Sequence, residues 1–236
     1  MKIALLGYGK MGKTIEQIAL ERGHAIILKV GKNDKNYDLT SADVAIDFSI
    51  PDAAVENITR CFEASVPIIC GTTGWLDHFE EMVSLCHQKK GAFIYASNFS
   101  LGVNLYFELN KKLAQMLKPL DTYAVAIEEI HHLQKLDAPS GTAITLAEDI
   151  IANSDTTNWF LKDTTDTIAT NGIPITAKRE PEVPGTHTVQ YTSQVDTIEI
   201  KHTAHNRNGF ALGAIVAAEW LQNKTGVYTM KDVLGL

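Results

Sequence analysis

The first thirty residues constrain this chain more than any other stretch. An apolar run, Lys2–Leu6, leads directly into Gly7-Tyr8-Gly9-Lys10-Met11-Gly12. Residues 13–22 then carry Ile15, Ile18 and Ala19 at helical spacing before Gly23, and residues 25–30 are apolar again. Strand, G-x-G-x-x-G, helix and second strand, in that order, is the setting a dinucleotide fingerprint requires. Gly7 allows a tight turn, Gly9 lets backbone approach a pyrophosphate, and Gly12 lets helix pack on strand. The competing reading is a structural glycine turn, and the flanking strands and helix weigh against it.

Further strands are predicted at residues 44–48, 66–70 and 92–96, with helices from Pro51 to about residue 64 and from after Gly74 to about residue 90. Strands alternating with helices imply a parallel sheet with right-handed crossovers, whose ligands lie beyond the carboxyl ends of the strands. Ser49, Gly71, Thr72, Thr73, Ser97, Asn98 and Phe99 fall at such ends. Together with Tyr8, Lys10, Met11 and Lys32 they complete the expected cofactor-binding set. The second strand ends in Lys29-Val30-Gly31-Lys32-Asn33-Asp34. An NAD-restricted site places an acidic side chain on the ribose here, whereas a 2′-phosphate prefers basic neighbours. Lys29 and Lys32 tilt the expectation toward NADPH, and Asp34 keeps NADH open.

After Gly102 the texture changes. A helix is predicted at residues 104–117, a strand at 122–130, a helix at 143–152, and β runs at 167–170, 175–179, 186–192 and 197–202. The polar stretch 153–166 reads as a mobile loop, and residues 210–221 return to a helical pattern. The expected architecture is therefore α/β. A Rossmann-type parallel-sheet domain spans residues 1–102 and 208–236, and a smaller α+β domain for substrate binding and oligomerisation spans residues 103–207.

Between the strand and helix of that second part lies Glu129-Ile-His-His-Leu-Gln-Lys-Leu-Asp-Ala-Pro-Ser-Gly-Thr-Ala143. Pro139 before Ser140-Gly141-Thr142 marks a helix start, where Ser140 or Thr142 can cap and free N–H groups favour an anion. Lys135 adds positive charge, and His131 or His132 can give up a proton near neutral pH. The segment can thus hold a carboxylate and protonate something beside it; the plainer reading is a polar surface loop with an ordinary cap.

Composition narrows the classes. A formal charge of -7 argues against a broad nucleic-acid surface, so an anionic ligand must meet a local positive site. Hydrophobic residues make up 45%, enough for a sizeable core, yet no stretch approaches a membrane span and the start lacks a signal-type apolar region. Cys61, Cys70 and Cys86 show no metal-type spacing and fit reduced thiols in the cytoplasm. His187, His202 and His205 invite a metal reading, but no carboxylate or cysteine completes a ligand set in the sequence, and no metal is expected. A hydrolase built on Ser140 lacks the G-x-S-x-G elbow.

With both motifs placed, the sequence resembles the dihydrodipicolinate reductase family, also described as 4-hydroxy-tetrahydrodipicolinate reductases. Its E-x-H-H-x-x-K-x-D-A-P-S-G-T-A signature is met in full by Glu129, His131, His132, Lys135, Asp137, Ala138, Pro139, Ser140, Gly141, Thr142 and Ala143. Further similarity runs through residues 7–12, 71–74, 97–104, 185–187 and 202–214. The resemblance implies hydride transfer from NADPH and/or NADH to a cyclic imine dicarboxylate in lysine and diaminopimelate biosynthesis, by a cytoplasmic homotetramer. It also implies His131 as proton donor, Lys135 as its catalytic companion, and His132, Ser140, Gly141, Thr142 and Arg207 as substrate-binding residues. The residues alone leave His131 and His132 interchangeable, because neighbours in an extended segment point to opposite sides. The chain is short for the family at residues 32–42 and 153–166, and its second strand ends without the acidic residue many members carry. Two rivals remain in view: another two-domain nicotinamide oxidoreductase, and a silent dinucleotide sensor. Neither needs the His-His-x-x-Lys segment.

Overall fold

The computed structural model describes residues 1–162, 172–206 and 208–236. The chain opens with β1 (Lys2–Leu6), α1 (Lys10–Glu21), β2 (Ala25–Val30), β3 (Val44–Asp47), α2 (Pro51–Glu63), β4 (Ile68–Cys70), α3 (Phe79–Lys89) and β5 (Ala92–Tyr95). Next come α4 (Leu101–Leu117), β6 (Ala124–His131), α5 (Gly141–Asn153), β7 (Asn158–Leu161), β8 (Gly172–Arg179), β9 (Gly185–Thr192) and β10 (Thr197–Ala204). It closes with α6 (Asn208–Leu221), β11 (Gly226–Tyr228) and α7 (Met230–Leu234). Two compact units result: Met1–Asn104 with Asn208–Leu236, and Leu105–Arg207.

In the first unit six strands form one sheet in the order β11-β5-β4-β3-β1-β2, and each pairing is parallel. The chain leaves β1 toward β2 on one side and toward β3 on the other, so the direction of winding reverses between β1 and β3. Such a switch point opens a crevice at the carboxyl ends. Alternate residues of the central strands feed two cores. Ile3, Leu5, Ile46 and Ile94 pack with Ile15 of α1 and Ile215 of α6; Leu6, Ala45 and Phe93 pack with Ile58 of α2 and Met82 of α3. Burial on both faces explains why these strands read as continuous apolar runs.

The second unit has a mixed sheet, β10-β9-β6-β8-β7, in which β6 pairs parallel with β8 and antiparallel with β9. Its core brings Ile127, Ile173, Ile175 and Val189 against Leu146, Ala147 and Ile150 of α5. Along β6 the buried positions alternate as Ile127, Glu129 and His131. Two polar groups therefore occupy the face that one step earlier is core.

Some expectations change. Residues 158–161, assigned to a mobile loop, form β7 against β8, and Trp159 packs on the core. The polar flanks hid a short Trp-Phe-Leu run that the neighbouring strand stabilises. The strand expected at 167–170 and the loop residues 163–166 lie outside the described residues. β11 and α7 are too short for periodicity to reveal, although Thr229 and Asp232 close α7 with a readable capping box.

Candidate active site

At the first turn Gly7 has φ +96°, and a Cβ there would sit 2.2 Å from the carbonyl oxygen of Phe48. Neither conformation nor space permits a side chain. A Cβ on Gly12 would come 2.4 Å from the Gly7 oxygen, so α1 abuts the turn, whereas one on Gly9 would meet nothing within 4 Å. That open approach at the start of a helix suits a pyrophosphate. A cavity of about 710 Å³ begins here, lined by Gly7, Tyr8, Gly9, Lys32 and Ser49, and also by Tyr37 and Arg60. A hollow of about 260 Å³ shares Ser49 and Phe48 with it and adds Met11, Gly71, Thr72 and Thr73. The glycine cradle and the cavity size fit a dinucleotide.

Lys10, Gly12, Ser97, Asn98 and Phe99 line neither space. Lys10 is exposed at the start of α1, and Ser97 is exposed too. Phe99 is buried with its ring 5.9 Å from that of Phe48, and Asn98 Oδ1 accepts from the Ser100 N–H. Lys29 is tied elsewhere: its Nζ is 2.6 Å from Glu16 Oε1 and sits over the Tyr8 ring. Positive charge at the cavity comes instead from Lys32, Lys35 and Arg60. Arg60 stacks on Tyr37 and donates to the Lys35 carbonyl. The Asp34 carboxylate accepts from the Gly31 N–H at 2.8 Å, closing its own turn.

Beneath the hollow, at the end of β3, Asp47 is fully buried. Its Oδ1 accepts from the Ser49 N–H at 2.9 Å and from Thr72 Oγ1 at 3.2 Å. Burial pushes its carboxyl up to about 6, against the pull of those hydrogen bonds.

In the second unit, strand register assembles the site. Glu129 stands opposite His187 on β9, and His131 stands opposite Arg179 on β8. Directly opposed residues share a face of the sheet. Glu129 Oε2 accepts from the Ser140 N–H at 3.0 Å and lies 3.7 Å from both His131 Nδ1 and His187 Nε2. Its Oε1 is 3.5 Å from Arg179 Nη1. Burial raises the Glu129 carboxyl, but His187, Ser140 and His131 together hold it at about 2. Burial brings His131 down to about 4; Glu129 opposes that, while His187, Lys135 and Arg179 add to it.

Ser140 caps α5, its Oγ accepting from the Ala143 N–H and lying 3.1 Å from His187 Nε2. Gly141 and Thr142 form the first turn behind it, where N–H groups have no intrahelical acceptor. Lys135 Nζ donates to both oxygens of Asp137, at 2.8 and 2.9 Å, and Arg179 spans the carbonyls of Lys135 and Asp137. A turn begins after His131, marked by the Lys135 N–H on the His132 carbonyl. Only His131 of the pair reaches Glu129 among the described residues, and Arg207 lies outside them.

Residues 1–99 match the family model described as dihydrodipicolinate reductase, N-terminus, and residues 102–234 match dihydrodipicolinate reductase, C-terminus. The chain belongs to the dihydrodipicolinate reductase family. A curated relative from Christiangramia forsetii, a 4-hydroxy-tetrahydrodipicolinate reductase, is 58% identical over 99% of this chain and 98% of its own length. One from Neisseria meningitidis serogroup B, with the same name, is 36% identical over 94% of this chain and 84% of its own. Among solved structures, dipicolinate-bound dihydrodipicolinate reductase from Paenisporosarcina superposes with a TM-score of 0.78 at 23% identity, covering 97% of each chain. That likeness is one of fold.

For this dihydrodipicolinate reductase family member, sequence reasoning passed over Asp47, Tyr37 and Arg60 in the first unit and Arg179 in the second, and gave Glu129 and His187 no role. Glu129 was visible as the first letter of the signature, but its partners come from three other strands or turns. The histidine set weighed in the sequence is not the one assembled: of His187, His202 and His205 only His187 joins a group with Glu129, together with His131, and the ligand atoms of these three lie within 4.8 Å of one another. A guanidinium on Glu129 and a hydroxyl on His187 make this a hydrogen-bonding and charge cluster.

Proposed function

We propose that this family member reduces 4-hydroxy-tetrahydrodipicolinate, the compound in the names of its curated relatives, to tetrahydrodipicolinate, serving lysine and diaminopimelate biosynthesis. The first unit holds the dinucleotide and the second holds the substrate. The observation that carries the reading is the second-unit cluster, where a titratable imidazole sits beside a lysine and a capped helix start. Bound nicotinamide supplies the hydride. Lys135 and the N–H groups at residues 140–142 grip carboxylates by charge-assisted hydrogen bonds, with His132 and Arg207 completing the contacts. Lys135 would exchange its bond to Asp137, which is largely exposed, for the ligand.

His131 delivers the proton that quenches electron density on the ring-nitrogen side. In the free protein its low proton affinity leaves it neutral at pH 7. An arriving dianion favours the imidazolium, so the donor charges as substrate binds. Cofactor recognition uses Gly7, Gly9, Met11, Ser49 and Thr72. Lys32, Lys35 and Arg60 support NADPH over NADH, since the Asp34 carboxylate is already engaged by Gly31. Three buried free thiols support a reducing cytoplasmic setting. The exposed eight-residue edge strand β10 supports pairing between subunits, in keeping with a homotetramer.

The test is loss of reduced-nicotinamide absorbance with each cofactor and freshly generated 4-hydroxy-tetrahydrodipicolinate. Turnover with both, faster with NADPH, is expected. No turnover with either would overturn the assignment.

A further inference from the structure

We propose that Glu129 is the positioning residue of the proton donor, tying the orientation of His131 to the carboxylate-gripping turn at Ser140. The proposal rests on the reductase reading above. Glu129 sits where the alternation of β6 calls for an apolar side chain, and it has no solvent exposure. Such a carboxylate persists only where its partners are fixed. One partner is the Ser140 N–H, which starts α5; another is Arg179 from β8. The remaining capacity of Oε2 faces two imidazoles.

His131 is the informative one. Its Nδ1 is buried and has no hydrogen-bond partner among the described residues, and Glu129 Oε2 is 3.7 Å away. A shift of less than about 1 Å would make a normal hydrogen bond. The opposite ring nitrogen, Nε2, lies beside Gly185, where an added Cβ would come within 3.2 Å. Glycine at 185 leaves that side of the ring clear. The geometry therefore places the resident proton on Nδ1, directed at Glu129, and leaves Nε2 to take up and deliver the second proton.

The charges around His131 agree with this role. Arg179 from β8, His187 from β9 and Lys135 from the following turn all disfavour its imidazolium, and Asp137 is occupied with Lys135. His202 on β10 stands behind His187 in the register. Glu129 is the group in direct range that favours the charged ring. The same carboxylate fixes Ser140, whose Oγ rests against His187. Substrate grip and donor orientation thus share one anchor.

Two measurements test this. In the unliganded wild-type protein, ¹⁵N resonances of His131, assigned against a His131→Asn variant, should report a neutral ring with its proton on Nδ1. A proton on Nε2 overturns the proposal, and this readout needs neither turnover nor a folded Glu129 variant. In Glu129→Gln, which keeps an acceptor for Ser140 but removes the charge, kcat should fall about 10²-fold. The high-pH limb of its kcat profile should move to lower pH, with cofactor KM unchanged; Glu129→Asp should restore part of the limb. An unmoved limb with kcat close to wild type overturns the proposal. Absent wild-type turnover would instead defeat the reductase reading, and the tautomer would still decide the role of Glu129.

Discussion

Asp47 and Glu129 are carboxylates with no solvent exposure near the ends of buried strands, one in each unit, yet their proton affinities move in opposite directions. Burial raises both. Asp47 is met by neutral donors, the Ser49 N–H and the Thr72 hydroxyl, which fall short of cancelling that cost. Glu129 is met by two imidazoles, a guanidinium and a backbone N–H, and the balance reverses. The kind of partner, not the depth of burial, decides the charge. One carboxylate bears an uncompensated cost for its charge beside the hollow, and the other anchors a site that favours its charge.

The largest effect should come from the charged site. His131→Ala should lower kcat by about 10²- to 10⁴-fold, and Lys135→Ala should harm both kcat and substrate KM. Cofactor affinity, measured by fluorescence titration, should stay nearly intact in both; an equal loss there would break the division of labour between the units. Next, Glu129→Ala strands the buried Ser140 N–H, while Arg179 keeps its bonds to the Lys135 and Asp137 carbonyls. It should cost about 1–3 kcal/mol in urea unfolding at neutral pH. Asp47→Asn keeps the Oδ1 acceptor for Ser49 and Thr72 without the buried charge, and should raise stability at neutral pH by up to about 3 kcal/mol. Similar losses in the two variants would erase the contrast.

The pH dependence sharpens it further. Asp47 has its folded value raised from 3.8 to about 6, so its contribution to stability is full below 3.8 and is lost as pH rises through 6. That loss is about 3 kcal/mol. Glu129 is lowered from 4.5 to about 2, so its contribution is present above 4.5 and disappears as pH falls through 2. His131, lowered from 6.5 to about 4, also costs stability as pH falls between those values. Unfolding midpoints across pH 4–6 should therefore rise in Asp47→Asn relative to wild type toward the upper end of that window. A parallel pair of curves would show that Asp47 titrates normally.

The smallest effects concern surface charge. Arg60→Ala should weaken NADPH relative to NADH by a few-fold, about 1 kcal/mol, read from the ratio of kcat/KM values. Lys29→Ala, which breaks an exposed pair with Glu16, should leave stability nearly unchanged and leave that ratio alone. A larger shift for Lys29 than for Arg60 would reverse the assignment of the basic groups.

Much of this was legible before any coordinates. The G-x-G-x-x-G turn was readable because the positive φ of Gly7 and the contact of Gly12 with the Gly7 carbonyl are local, although the Phe48 carbonyl that also crowds Gly7 comes from a distant strand end. Ser140 was readable as a cap for the same reason. Lys29 was misjudged because its fate depends on Glu16, one helix away, and that pairing is invisible in a strand pattern. β7 was missed because a four-residue strand is stabilised by the neighbour it pairs with, not by its own periodicity.

The sequence by itself determined the parallel-sheet unit, the family signature and the candidate donors, since these rest on local periodicity and on contiguous residues. Only the tertiary structure decided that Glu129 faces His187 across β6 and β9 while His131 faces Arg179 across β6 and β8. Register is set by how whole strands bury their apolar faces, so it joins residues about fifty positions apart that no local rule connects. It is this register that separates His131 from His132, and that gives one buried carboxylate the positive neighbours the other lacks.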